Sequence, residues 1–438
     1  MTDNSHATNR WLIAAMGTIL QLCLGTVYAW SFFQNPLVAC YKCSNAAVTG
    51  VFSIAICFLG IAAAWGGMNL GRFGPRKLAM TGAALFGAGY FIAAAAIHLN
   101  SLALLYIGYG VIGGIGLGLG YVTPVATIAK WFPDKKGLVT GMVVMGFGFG
   151  ALLMSKILAP TFVNATTSEV FPNGDYSTVF MYLGAVLLAA ALIAAAFLKN
   201  PPAGYAPEGY TVEARAAAGA GQGGEGPSRS RAILSGRFAM MWLVFFCNIA
   251  AGIAIISLQS PMMQELWKRF DPSIPGDMRV AYGATLIAVS SLFNGAGRFL
   301  WGGVSDRVGR VQTFRVMLAT EIAAFIALIF TGNPWIFGGL ICWVLLCYGG
   351  GFGTMPSFVL DVFGPRLMPV VYGVILTAWS AAGVAGPLMF AAIKDRLPLE
   401  RASAWSFAIA AAILVTGLVI ALAGLSDRPF VEEARKAA

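Results

Sequence analysis

An arginine stands in the middle of an apolar run, in the stretch SSLFNGAGRFLWG, where Arg298 is flanked by residues suited to lipid. A guanidinium at mid-bilayer costs at least about 2.5–3.5 kcal/mol on insertion scales, and it cannot shed its charge. Arg298 must therefore face a wet cavity or an anionic partner. Its planar fork matches a carboxylate through two parallel hydrogen bonds. Two kinds of partner fit: the carboxylate of a bound solute, or a structural ion pair with Glu321 or Asp361. Asn294 lies four residues earlier, on the same helical face. Its amide can bond a carboxylate or hydroxyl, or equally a neighbouring helix.

Glu321 falls a few turns into another apolar run. Burial would suit it to proton binding, but pairing or snorkelling near the inner membrane surface is the preferred reading. Asp361 stands at the inner end of its run and reads as a gate or loop partner. No nucleophile–base pair, metal-ligand cluster or cofactor motif accompanies these groups, which argues against an enzyme and against a bound metal or cofactor. The glycine string GGIGLGLG from Gly113 lies inside an apolar run, not between a strand and a helix, so it is no dinucleotide loop. Small residues there let helix backbones approach closely. Cys40 and Cys43 form a C-x-x-C, too few ligands for a closed zinc site; a local disulfide and two plain thiols both fit.

The elements that must hold these groups are membrane spans. Of 438 residues, 58% are hydrophobic and 11% charged, against roughly 25% charged in soluble domains. Twelve stretches reach the length of about 20 apolar residues that a spanning helix needs. With the N-terminus inside, the inner loops hold most of the 28 Lys and Arg residues. That bias places both termini in the cytoplasm. The net charge of +10 reads as topology signal and contact with anionic lipid, not as nucleic-acid binding. The Gly-, Ala- and Ser-rich segment 200–236 is a solvated linker, dividing a six-helix bundle over 1–199 from another over 237–438. A short interfacial helix is expected over Arg231–Met241, leading into the seventh span.

The halves repeat each other. The loop beginning at Gly67 and the loop beginning at Gly302 carry Gly, Arg and Gly at the same offsets, as Arg72, Gly74 and Arg307, Gly309. Pro124, Pro133 and Gly141 match Pro356, Pro365 and Gly373 at one constant offset. Agreement at two independent places argues for duplication. The second loop, GGVSDRVGR, resembles the signature of the major facilitator superfamily. That resemblance implies an all-α fold of twelve spans in two pseudo-symmetric six-helix halves, rocking about a central site. It also makes Asp306, Arg307 and Arg72 gating residues. In the first loop the acidic position is Gly71, which weakens the charge network there.

The strings VYAWSFFQNP, GYVTPVATIAKWFPDKKGLVTG, NGAGRFLWGGVSDRVGR and MPSFVLDVFG are similar to the oxalate–formate exchanger branch, which includes bacterial lactate transporters. The resemblance puts Tyr28, Tyr121, Tyr348, Phe352, Leu376, Trp379 and Arg298 around the substrate. Oxalate exchangers resemble this chain but carry a lysine where Trp379 stands and a bulky aromatic at Leu376. One cation and an indole suit one carboxylate with a small, less polar end. Animal monocarboxylate transporters carry an aspartate at the position of Asn294 and a lysine in the first span that has no counterpart here. The resemblance thus implies a monomeric secondary transporter of lactate, pyruvate or similar monocarboxylates in the cytoplasmic membrane, by proton symport. The alternative is an organic-anion exchanger of the oxalate/formate type.

Overall fold

The computed structural model describes residues 9–430 apart from 133, 135, 203–204, 206 and 208–227. The linker expected over 200–236 therefore lies largely outside the described residues. Among the described residues, twelve helices are long and apolar enough to cross a membrane: Arg10–Tyr41, Asn45–Phe73, Pro75–His98, Leu102–Trp131, Val139–Ala165, Tyr176–Ala196, Gly236–Phe270, Gly276–Val308, Arg310–Phe330, Pro334–Gly364, Val370–Arg396 and Arg401–Ala423. They are numbered as spans in that order. The face on which the first span begins is termed the tail face, and the opposite one the far face.

Local sequence explains where the helices start and stop. Asn9, Ser44, Asp175, Ser235 and Asn333 each cap a span by accepting from a backbone N–H of its first turn, which satisfies donors the helix cannot. Gly74 and Gly309 end the second and eighth spans with φ of 78° and 90°, a conformation that favours glycine. The repeat read in the sequence is thus a repeat of backbone geometry. The interfacial helix expected over Arg231–Met241 is shorter: it runs Arg229–Ile233, and Ser235 then starts the seventh span. The seventh and eighth spans outrun their apolar cores at the far face, because helical bonding continues past the point where side chains turn polar.

Across the halves, the second span packs on the eleventh and the fifth on the eighth. Between the fifth and eighth the backbones all but touch: a Cβ at Gly148 would sit 2.5 Å from the Gly295 Cα. Hydrogen bonds joining the halves cluster from mid-span to the far face. Ser380 Oγ donates to the Cys57 carbonyl at 2.8 Å, and Lys156 Nζ donates to Thr285 Oγ1 at 2.6 Å. Asp395 accepts from the backbone N–H groups of Asn45 and Ala46 at 3.0 and 2.8 Å, and from Asn45 Nδ2 at 3.0 Å. Cys40 and Cys43 are free thiols.

Candidate functional site

Four broken or crowded helices bring the central side chains together. The first span is interrupted by a 3₁₀ turn over Thr26–Ala29, which carries Tyr28. The eighth and tenth spans lie in backbone contact. A Cβ at Gly349 would meet the Asn294 carbonyl oxygen at 2.0 Å, and one at Gly353 would meet the Arg298 carbonyl oxygen at 2.0 Å. This close approach sets Tyr348 and Phe352 directly beside Asn294 and Arg298. The eleventh span breaks at Leu376, where one helix ends and the next begins. Leu376 is buried there, one turn before Trp379.

Arg298 is 1% exposed. Its Nε donates to Asn294 Oδ1 at 3.3 Å. Its guanidinium carbon lies 4.8 Å from the ring centre of Phe352 and 5.5 Å from that of Phe147, which belongs to the other half. Such stacking stabilises a desolvated cation by about 2 kcal/mol or more. Neither Nη1 nor Nη2 has a hydrogen-bond partner, although both are buried. Glu321 and Asp361, the two structural partners offered by the sequence, bond elsewhere: Glu321 to Asn248 and Asp361 to Arg310. Arg298 thus presents two unused donors in a buried aromatic setting.

Around it stand the rest of the aromatic set. Trp379 packs edge-on against Phe352, Tyr121, Phe147 and Tyr28, with ring centres 4.7, 5.2, 5.7 and 6.2 Å apart. The hydroxyls of Tyr28 and Tyr348 bond each other at 2.5 Å across the halves. The hydroxyl of Tyr121 neighbours Arg298 and the hydroxyl of Tyr372 closely enough to feel both. It still makes no hydrogen bond of acceptable geometry, and neither do the Tyr372 hydroxyl and Trp379 Nε1. Buried polar atoms are ordinarily satisfied, and here unsatisfied ones gather around one cation. A cavity of ≈ 10 Å³ remains nearby, bordered by Tyr28, Gln259, Ser290, Ser291 and Asn294. That is room for about one water.

The charged residues singled out from the sequence fall in two other places. At the tail face Arg310 bridges Asp306 at 2.6 Å and Asp361 at 2.9 Å, and also reaches the Ser305 hydroxyl. The loop after the eighth span is thereby tied to the end of the tenth. Arg307 and Arg72 are exposed, and Arg72 lies over the Phe73 ring at 5.4 Å. Gly71 has nothing within 4 Å of where a side chain would begin, so the first loop lacks the matching acid. Of the two readings of Glu321, pairing and snorkelling, the second does not hold. It does not snorkel to the surface: it is fully buried, and Asn248 Nδ2 of the seventh span donates to its Oε2 at 2.8 Å. Among the described residues, no group of three or more His, Cys, Asp and Glu side chains could hold a metal ion.

Over residues 6–387 the sequence matches the Major Facilitator Superfamily profile. The chain belongs to that superfamily. The oxalate:formate antiporter of Oxalobacter formigenes is 26% identical over 421 residues, spanning 95% of this chain and 91% of the relative. Apicoplast pyruvate carrier 1 of Toxoplasma gondii is 27% identical over 470 residues, spanning 87% of this chain and 82% of the relative. The crystal structure of a D-xylose-proton symporter superposes with a TM-score of 0.67 at 16% identity, covering 95% of this chain and 98% of that one. Likeness at that identity speaks to the fold alone.

In this major facilitator protein, sequence reasoning passed over two residues of the central cluster and its surroundings. Tyr372 sits in an ordinary apolar run, within the short helical stretch before the break at Leu376, and neighbours Tyr121 and Arg298. Asn248 read as one more residue of the seventh span. A polar amide in an apolar run was the available signal for it.

Proposed function

We propose that this chain carries small monocarboxylates, of the lactate and pyruvate class, across a cytoplasmic membrane by alternating access, with protons moving in the same direction. The observation that carries the reading is the pair of unused Nη donors on Arg298, buried at the junction of the two halves. A carboxylate fills both and removes the unpaired charge. Tyr121 and Tyr372 then offer hydroxyls to the bound group, while Phe352, Leu376 and Trp379 suit a short alkyl end. Because only one cation faces this space among the described residues, a monoanion leaves it neutral and a dianion does not. The solute's charge thus favours crossing of the loaded form over the empty one. With the tail face in the cytoplasm, both termini are cytoplasmic, in keeping with the excess of Lys and Arg in the loops there.

The name of the pyruvate carrier among the relatives supports the substrate class. That of the oxalate:formate antiporter supports the second reading, exchange of one organic anion for another. Uptake of labelled L-lactate into proteoliposomes separates them. Symport requires accumulation driven by an inward proton gradient, abolished by a protonophore and insensitive to oxalate. Uptake that ignores the gradient and is driven by internal oxalate or formate makes the protein an exchanger.

A further inference from the structure

The cluster around Arg298 leaves a second buried ionisable group unused. Glu321, in the ninth span, is fully buried, and its Oε1 has no hydrogen-bond partner. Its one bond is with Asn248, whose own Oδ1 is likewise unpartnered. The groups that face it can be named helix by helix. The seventh span presents Asn248, which is uncharged. The tenth presents the Cys347 thiol, which also lies 3.8 Å from Thr320. Among the described residues, the eighth and twelfth spans place no charged side chain against it. A carboxylate in such a place has lost its hydration and gained no cation, so the neutral acid is the form that fits this conformation.

Asn248 suits both charge states of such an acid. Its Nδ2 donates to a carboxylate, and by turning the amide its Oδ1 accepts from a carboxylic acid. It is also tied to the surroundings of Arg298. Asn248 Oδ1 lies against Gly351, where a Cβ would come within 2.1 Å of it. The next residue is Phe352, whose ring covers the Arg298 guanidinium at 4.8 Å. Phe352 packs in turn on Phe245, one turn before Asn248, with ring centres 5.2 Å apart.

We infer that Glu321 is the proton-carrying residue of the transport cycle, hydrogen-bonded in both its forms by Asn248 and protonated in step with the filling of Arg298. This inference rests on the proposed carboxylate transport and adds the residue that couples it. One proton binds the carboxylate on one side of the membrane and leaves it on the other; no covalent bond to the solute forms. The charges explain the coupling. Arg298 with a bound monoanion and a protonated Glu321 sums to zero, and so does empty Arg298 with an ionised Glu321. The two mixed states carry a net charge in a low-dielectric interior, which disfavours their crossing.

The test uses full-length protein in proteoliposomes, with labelled L-lactate as the probe. Glu321→Gln is expected to keep lactate–lactate counterflow while losing accumulation driven by the proton gradient, and to lose lactate-induced proton uptake. Glu321→Asp, which keeps the acid, is expected to accumulate lactate with a displaced pH profile. Gradient-driven accumulation by Glu321→Gln equal to that of the unmodified protein overturns the inference. Infrared spectroscopy of the unmodified protein supplies an independent readout should the glutamine variant fail to fold. With saturating lactate at neutral pH, a carboxylic-acid carbonyl band that is lost when lactate is withdrawn, and is displaced in Glu321→Asp, is expected; a Glu321 band that lactate does not change overturns the inference. If the unmodified protein moves no lactate or pyruvate, the carboxylate reading itself falls, whatever the infrared band shows.

Discussion

The hydroxyls of Tyr28 and Tyr348 meet at 2.5 Å, one from each half of the molecule. Tyr28 rides on the 3₁₀ turn of the first span and Tyr348 on the tenth, so the bond exists only while the halves are closed over the centre. A net contribution of about 1 kcal/mol for such a bond shifts the open–closed balance about five-fold. Tyr28→Phe and Tyr348→Phe should each raise the half-saturating lactate concentration by about that factor. Because both act on one bond, the double variant should cost no more than the more severe single one. Additive losses in a double-mutant cycle would show that the two hydroxyls work independently.

Arg298 differs from a simple positive charge in the direction of its two Nη donors. Lysine keeps the charge and loses the fork. A hydrogen bond to a charged group contributes about 1.5–3 kcal/mol, so Arg298→Lys should lower the efficiency of lactate uptake about ten- to hundred-fold. Initial rates over a lactate concentration series measure this. Unchanged affinity and rate would mean that charge alone, without two-point geometry, serves the site.

The contact of the eighth and tenth spans depends on glycine. A Cβ at Gly353 would lie 2.0 Å from the Arg298 carbonyl oxygen, whereas Gly339 of the same span has nothing within 4 Å. Overpacking of this kind costs typically about 1–3 kcal/mol. Gly353→Ala should therefore lower the thermal unfolding midpoint of the purified protein and depress transport by displacing Arg298. Gly339→Ala, placed in open space, should leave both unchanged or raise stability slightly. Equal midpoints for the two variants would show that the helices yield without cost.

Arg298 and Asn294 were legible in the sequence because charge and amide stand out in an apolar run and spacing puts them on one face. The twelve spans were legible from length and composition. Rotation of each helix about its axis was not, and rotation decides what a side chain meets. Glu321 shows this: its depth along the ninth span is readable, but only packing reveals that it points at Asn248 and not toward lipid or the surface. Tyr372 was hidden for the same reason, since it sits in an apolar run and only packing shows that it meets Tyr121 and Arg298. The tail-face cluster was half legible. Asp306 and Asp361 were singled out, but their shared partner is Arg310 and not Arg307.

Trp379 is fully buried and touches four aromatic rings of the central cluster. A lysine at this position adds a second cation near Arg298, which suits two carboxylates and penalises one. Trp379→Lys should raise oxalate uptake and depress lactate uptake in the same vesicles. A fall in both would mean that the indole is needed for packing, and indifference of both would remove Trp379 from the site.

Asp395 ties the halves at the far face by accepting three hydrogen bonds at the start of the second span. The same carboxylate lies near Cys43, outside the spans. Burial, and then the charge of Asp395, hold the Cys43 thiol above its ordinary value of 9.0. A raised thiol pKa means less thiolate, the reactive form, at any given pH below it. Asp395→Ala removes the charge and loosens the contact, and both effects lower that pKa. Alkylation of Cys43 should then quicken, and its rate-versus-pH curve should move to lower pH. Peptide-resolved mass spectrometry in a Cys40→Ser background, which removes the neighbouring thiol at the end of the first span, follows the rate directly. A Cys43 rate that Asp395→Ala leaves unchanged across the pH range would separate the thiol from the latch and leave the three hydrogen bonds without influence on the far-face opening.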